Sequence, residues 1–231
     1  MGERISISTP DGDFSAYVAR PAAAKAPAVV VIQEIFGVNQ VMRDITDGLA
    51  AQGYLAICPD LFWRIEPGID ITDQSEAEWK RAFELFNAFD VDAGVKDIQA
   101  TIKTIRADAG CSGKVGAVGF CLGGLLAYLT ATRTDADAAV SYYGVGIENR
   151  VAEAEKLTRP LLMHIASEDQ FVPKDAQAVI LQALKDHPQV EIHVYEGRDH
   201  AFARAGGAHY DEADAKLAGG RTLQFFQRTI G

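Results

Sequence analysis

The chain has 231 residues, of which 48% are hydrophobic and 23% charged, and its formal net charge is −10 at pH 7. This length suits one globular domain with a full core, so we expect a single domain over residues 1–231. The acidic balance, which no basic run interrupts, argues against nucleic acid and against an anionic membrane surface as partners.

Cysteine usage and the N-terminus both indicate a reducing cytoplasm. Cys58, Cys111 and Cys121 are an odd number of cysteines without a Cys-x-x-Cys pair. The polar start, Met-Gly-Glu-Arg, lacks the apolar core of a signal peptide. No apolar run approaches the ~20 residues of a membrane span, so we expect a cytoplasmic protein without a membrane segment.

In chain order, alternating strands and helices predict an α/β protein. Residues 4–8 and 15–19 alternate around a turn and predict an antiparallel edge hairpin. Further strands are predicted at 27–33, 54–58, 114–118, 138–144, 160–165 and 190–195, and helices at 40–52, 75–88, 90–109, 174–186 and 211–228. An apolar segment of helical length also follows Gly123. Such alternation is typical of a mostly parallel sheet covered by helices on both faces.

The segment Gly119-Phe120-Cys121-Leu122-Gly123 has the spacing of a nucleophile elbow, with Cys121 in the nucleophile's place. The two glycines make room for a strained central residue between a strand and a helix. The helix N-terminus beside the sulfur favours a thiolate. The alternative is a small buried cysteine without chemistry.

Four groups follow separate predicted strands: Glu34, Cys121, Asp169 and His200. The carboxyl ends of parallel strands meet at one edge of a sheet, and the order nucleophile, acid, histidine is that of the α/β-hydrolase triad. Cys121 would attack a carbonyl carbon, His200 would carry protons, and Asp169 would orient the imidazole.

Each assignment has an alternative. Asp169 has Glu168 and Asp175 as neighbours and could instead cap the helix from Lys174. His200 could be a solvated loop histidine. The N–H groups of Leu122 and Ile35 are the candidate oxyanion donors.

Several motifs together resemble the dienelactone hydrolase family. They are Gln33 to Gly37, Cys58 to Leu61, Ala88 to Asp90, Gly116 to Gly124, Tyr142 to Gly144, Asp169 to Pro173 and His200 to Arg204. The resemblance implies an α/β-hydrolase fold and a triad of Cys121, Asp169 and His200. It also implies that Glu34 deprotonates the thiol when substrate arrives, and that no metal or cofactor is required.

The same resemblance implies a substrate site with Arg204 binding a carboxylate. The alternative for Arg204 is a surface arginine. Further substrate-binding candidates are Arg81, Phe36, Trp79, Phe83 and Phe86. Trp79 stands where the family carries a second arginine, and Lys80 or Arg81 could replace it after a short shift. Phe83 and Phe86 replace a tyrosine and a tryptophan, and Ala201 replaces a serine.

We therefore expect a monomeric hydrolase whose partner is a small anionic lactone or ester. The family reaction is the opening of dienelactone to maleylacetate in chloroaromatic degradation. One alternative is a broader hydrolase of small esters or thioesters with the same triad. A second alternative is a binding protein without catalysis.

Overall fold

A computed structural model describes residues 2–231 of the chain. The chain falls into two compact units, which comprise residues 1–117 and 118–231. Among the described residues, no helix combines the length and apolarity that crossing a bilayer requires.

The strands and helices follow the predicted order. The strands are β1 (Glu3–Thr9), β2 (Gly12–Ala19), β3 (Ala26–Ile32), β4 (Leu55–Pro59), β5 (Cys111–Phe120), β6 (Ala138–Tyr142), β7 (Leu161–Ala166) and β8 (Val190–Tyr195). The helices are α1 (Gln40–Ala51), α2 (Glu76–Ala88), α3 (Val91–Ala107), α4 (Leu122–Arg133), α5 (Lys174–Leu184) and α6 (Glu212–Thr229).

The sheet has eight strands in the order β1-β2-β4-β3-β5-β6-β7-β8. Strands β1 and β2 are antiparallel and confirm the edge hairpin, with Ile5 opposite Ala16. The pairs β3–β4, β6–β7 and β7–β8 are parallel. The predicted α/β class with a mostly parallel sheet is therefore confirmed, and the carboxyl ends of its parallel strands share one edge.

Helices of the first unit begin at side-chain caps that are visible in the sequence. The Asn39 side chain accepts the backbone N–H of Met42 at 3.2 Å, and Ser75 accepts that of Glu78 at 3.3 Å. Asp90 accepts the N–H groups of Asp92 and Ala93. Because these bonds satisfy donors that the helix cannot, they fix where α1, α2 and α3 start.

The second unit is organised around α4, which is apolar on all sides. Every residue from Leu122 to Thr132 is buried, as expected for a helix enclosed by other elements rather than lying on a surface. Two short 3-10 helices, Ile147–Asn149 and Val151–Lys156, follow β6 and were not predicted. Single turns of this kind are too short to show a hydrophobic period in the sequence.

Candidate active site

Cys121 lies in a sharp turn between β5 and α4. Its backbone has φ of 58° and ψ of −117°, a conformation that residues other than glycine rarely adopt. A Cβ atom at Gly119 would lie 1.9 Å from the carbonyl oxygen of Gly123, so position 119 admits only glycine. The Cys121 N–H donates to the carbonyl oxygen of Tyr142 at 3.1 Å, which ties the turn to the end of β6. The strained turn expected from the glycine spacing is therefore present.

The Cys121 side chain lies at the N-terminus of α4. The residue is 7% exposed and is the N-cap of the 12-residue helix α4. The first N–H groups of a helix have no partner within the helix, and its dipole places partial positive charge at this end. The N–H of Leu122 is the first of these groups, as the predicted oxyanion donor requires.

His200 and Asp169 form a buried pair in the second unit. The imidazole Nδ1 of His200 lies 2.9 Å from Oδ2 and 3.1 Å from Oδ1 of Asp169. Both residues are 4% exposed, so the solvated-loop alternative for His200 is excluded. Asp169 Oδ1 also accepts the N–H groups of Phe171 at 2.8 Å and Val172 at 3.1 Å, which holds the carboxylate in place.

Neither neighbouring carboxylate takes the place of Asp169. Glu168 is exposed and pairs with Lys174 at 2.7 Å. Asp175 accepts the N–H of Ala176 at 2.9 Å, in the first turn of α5. Asp169 alone of the three is bonded to His200 in this structure.

The other imidazole nitrogen is directed away from Asp169. Nε2 of His200 is buried and has no hydrogen-bond partner among the described residues. Burial by itself would lower the pKa of His200, but a negative charge on Cys121 and hydrogen bonding to Asp169 and Cys121 would outweigh it and raise the pKa to about 10. Cys121 is therefore near enough to His200 to influence its pKa, and Nε2 is the ring nitrogen that Asp169 leaves open.

Aromatic rings fix the orientation of the imidazole. Tyr143 and Phe171 contact it edge-on, with ring centroids 5.0 and 4.9 Å from that of His200. Neither residue was among the predicted site residues. Tyr143 directly follows β6 at the carboxyl edge of the sheet, and this position was the available signal.

Arg204 lies in the segment after His200 and is 6% exposed. Its backbone N–H donates to the carbonyl oxygen of Ala201 at 2.9 Å. The alternative of a surface arginine is therefore wrong. A guanidinium this deeply buried requires compensating polar or charged groups.

In the first unit, the predicted residues Glu34, Ile35 and Phe36 lie just after β3. All three are buried, with Glu34 only 1% exposed. The side chain of the preceding Gln33 accepts the N–H of Leu61 at 3.0 Å, which secures the end of the strand. The carboxylate is thus held away from bulk solvent.

Helix α2 carries the predicted aromatic residues. Trp79 contacts Phe36 edge-on at 5.2 Å and stacks on Phe83 at 5.7 Å between ring centroids. Its indole N–H donates to the carbonyl oxygen of Asp73 at 3.0 Å. Phe86 is half-buried on the same helix. Position 79 therefore contributes an aromatic surface and no cation.

Arg81 is engaged elsewhere. Its guanidinium lies 2.5 Å from Glu66 and 3.1 Å from Glu84, and Lys80 beside it is exposed. The expectation that Arg81 replaces the missing arginine at position 79 finds no support in these contacts.

A strained elbow at the end of a central strand, followed by a bonded acid and histidine on later strands, is the arrangement of an α/β-hydrolase. Residues 14–230 match the family model "Dienelactone hydrolase family", and the chain belongs to that family.

Its relatives carry consistent names. A provisionally named carboxymethylenebutenolidase of Azospirillum brasilense is 54% identical over 96% of both chains. The carboxymethylenebutenolidase of Pseudomonas putida is 43% identical over 97% of this chain and 96% of the relative. A crystal structure from Klebsiella pneumoniae, provisionally named a dienelactone hydrolase, is 31% identical and superimposes with a TM-score of 0.85 over 98% of both chains. The protein is accordingly a hydrolase that acts on esters or lactones.

Proposed function

We propose that this hydrolase opens a small carboxylated enol lactone, dienelactone to maleylacetate, through a thioester on Cys121. The names of the relatives support this substrate class. The observation that supports the mechanism is the geometry of His200, which is bonded to Asp169 through Nδ1 at 2.9 Å while its buried Nε2 has no hydrogen-bond partner among the described residues.

The reaction begins with the transfer of the Cys121 proton, and the thiolate then attacks the lactone carbonyl carbon. The tetrahedral intermediate collapses by breaking the ring C–O bond, which leaves a thioester on Cys121 and an enolate. The enolate takes up the proton that left Cys121 and becomes the ketone. Water, deprotonated by His200, then attacks the thioester carbonyl carbon and the C–S bond breaks. The Cys121 thiolate takes the proton back from His200, and the product acid leaves and ionises to the second carboxylate.

The oxyanion of the tetrahedral intermediate needs donors that are in place before the reaction. We assign the backbone N–H groups of Leu122 and Ile35 to this role. Each such donor typically contributes about 10²–10³ in rate.

We assign the activation of Cys121 to Glu34, as the family resemblance implies. Its deep burial supports the assignment, because a carboxylate with 1% exposure is costly unless a function or a partner retains it. Deprotonation by Glu34 only when substrate is present would keep the resting thiol less prone to oxidation.

We assign Arg204 to the substrate carboxylate, which a guanidinium can bind through two parallel hydrogen bonds. Burial of Arg204 supports this role, because low solvent exposure strengthens a charged hydrogen bond.

A broader esterase is the second candidate function. The observation that favours it is on α2, where Trp79 packs among aromatic rings and Arg81 is paired with Glu66 and Glu84. With one cationic residue fewer than the family pattern, the advantage of a carboxylated substrate over a neutral ester would be smaller.

We also propose that the protein works as a cytoplasmic monomer on small molecules, in the degradation of chlorinated aromatic compounds. Free thiols at all three cysteines are consistent with a reducing compartment. Light scattering at micromolar protein concentration measures the molecular mass and so tests the monomeric state.

The test of the proposed function compares substrates and Cys121 variants. The native protein should have a higher kcat/KM on dienelactone than on uncharged p-nitrophenyl acetate, and Cys121→Ala should lose at least about 10³-fold in kcat on both. Mass spectrometry of rapidly quenched native protein should show an acyl adduct on Cys121. Equal turnover by Cys121→Ala would refute the mechanism, and equal kcat/KM on both substrates would favour the broader esterase.

A further inference from the structure

Asp199 precedes His200 and contacts the loop that carries Asp169. Its Oδ1 accepts the backbone N–H of His200 at 2.6 Å and that of Gln170 at 3.0 Å. Its Oδ2 lies 3.4 Å from Nε2 of Gln170. One carboxylate therefore joins the acid loop, residues 167–171, to the histidine loop, residues 196–200.

Two further hydrogen bonds join the same loops closer to the strands. Glu168 donates its N–H to the carbonyl oxygen of Arg198 at 2.8 Å, and Gly197 donates to Oγ of Ser167 at 2.8 Å. These bonds continue the pairing of β7 and β8, where Ser167 N–H donates to the carbonyl oxygen of Tyr195 at 3.0 Å. They hold the loops at their base, whereas the bonds to Asp199 hold the residues next to the reacting pair.

The Asp199 carboxylate also contacts the segment that follows. Nδ1 of His209 lies 3.1 Å from Oδ2 of Asp199. Both side chains are about one-third exposed, so solvent screens this ion pair and it adds little energy. The role of Asp199 therefore depends on the two hydrogen bonds that it accepts from the backbone N–H groups of His200 and Gln170.

We propose that Asp199 is a positioning residue that holds His200 against Asp169. The proposal rests on the proposed function, because it concerns the same acid and histidine. The 2.9 Å bond between His200 Nδ1 and Asp169 Oδ2 exists only while the two loops keep their spacing. A displacement of about 1 Å at a reacting group can reduce the rate by ~10²-fold, so a bond that fixes this spacing has a catalytic consequence.

The test uses three variants at two neighbouring carboxylates. Asp199→Ala removes the acceptor. Asp199→Asn removes the charge but keeps a side-chain oxygen that can accept both N–H groups. Glu168→Gln is the matched control, because it removes the same charge from the acid loop at an exposed side chain that pairs with Lys174.

Asp199→Ala should lower kcat by about 10²-fold on the preferred ester or lactone while KM changes little, because the substrate contacts remain. Asp199→Asn should keep kcat within about tenfold of the native value, since a neutral acceptor still makes the bonds, although more weakly. Glu168→Gln should match the native protein. If Asp199→Ala does not fold, Asp199→Ser serves in its place, because its shorter side chain cannot reach both donors.

A second readout is independent of turnover. The Nδ1–H proton of His200, hydrogen-bonded to Asp169, should give a downfield proton NMR signal at low temperature, and this signal should weaken or disappear in Asp199→Ala and persist in Asp199→Asn. Native kcat and an intact signal in Asp199→Ala would overturn the positioning role, as would an equal loss in Asp199→Asn and Asp199→Ala. Turnover by Cys121→Ala would instead refute the proposed function, and the NMR signal would still decide the role of Asp199.

Discussion

Positive φ angles at residues with side chains occur near the reacting groups. Among residues 2–231 the three such positions are Cys121 at 58°, Tyr143 at 37° and Ala201 at 62°. Cys121 is the proposed nucleophile, the ring of Tyr143 contacts His200, and Ala201 follows His200 in the chain. Strain of this kind costs of order 1–3 kcal/mol for each residue and is retained where function requires the geometry.

The pKa of His200 provides a test of its interaction with Cys121. Since negative charge on Cys121 is the leading cause that raises it, Cys121→Ala should lower the pKa of His200 from about 10. The imidazolium is favoured while Cys121 is charged, and this support is lost when Cys121 is neutral, as in the proposed thioester, so that His200 can then accept a proton from water. NMR titration of the His200 ring protons in native protein and Cys121→Ala measures the change.

Asp169→Asn is the companion variant, because it removes the second charge that favours the imidazolium. It should also lower the pKa of His200. An unchanged titration in both variants would mean that neither group acts on His200 as the geometry indicates.

Helix α2 carries an aromatic cluster where the family resemblance implies a second arginine. Trp79 packs against Phe36 and Phe83, while Phe83 remains 41% exposed. By that resemblance, the aromatic cluster on α2 takes the place of a second carboxylate-binding cation.

Trp79→Arg should restore that cation. We expect kcat/KM on dienelactone to rise by about tenfold relative to p-nitrophenyl acetate, because a hydrogen bond to a charged group contributes roughly 1.5–3 kcal/mol. Trp79→Met is the control, since it removes the ring without adding charge. A ratio of substrate preferences equal in Trp79→Arg and Trp79→Met would show that position 79 does not contact the substrate carboxylate.

For the molecule as a whole, a buried polar network in the second unit links stability to pH. His164 bonds through Nδ1 to the hydroxyl of Tyr195 at 2.8 Å and through Nε2 to that of Thr222 at 3.0 Å. Burial, the nearby His193 and the charge of Arg221 hold the pKa of His164 well below 6.5. The folded protein therefore keeps His164 neutral where the unfolded chain would protonate it.

This linkage predicts acid destabilisation. Below pH 6.5 His164 binds a proton in the unfolded chain but not in the folded protein. Its contribution to the free energy of unfolding is therefore fully present above pH 6.5 and is lost as the pH decreases. The loss due to His164 should approach about 1.4 kcal/mol for each pH unit. Urea unfolding at pH 5, 6 and 7 measures it.

His164→Gln is the matched variant, because its amide can replace part of the hydrogen bonding without titrating. It should be less stable than native protein at pH 7, yet its stability should fall less between pH 6.5 and 5. Since His193 remains in both proteins, the difference in slope isolates His164. Parallel slopes would contradict the assignment.

The sequence by itself determined the order of the elements, the elbow and the family. These follow from local physics: hydrophobic period, the caps at Asn39 and Ser75, and the need for glycine at position 119. Asp169 and His200 could be named from the order of motifs, because both follow strands whose carboxyl ends share one edge.

Only the tertiary structure decided which groups pair. Burial of Arg204, the engagement of Arg81 by Glu66 and Glu84, and the contacts of Asp199 with Gln170 depend on how distant segments pack. The choice of Asp169 over Glu168 follows from the register of β7 beside β8, which sets the residue that faces the histidine loop. A one-residue change of register reverses the face of each side chain, and no local pattern encodes the pairing between strands that distant segments contribute.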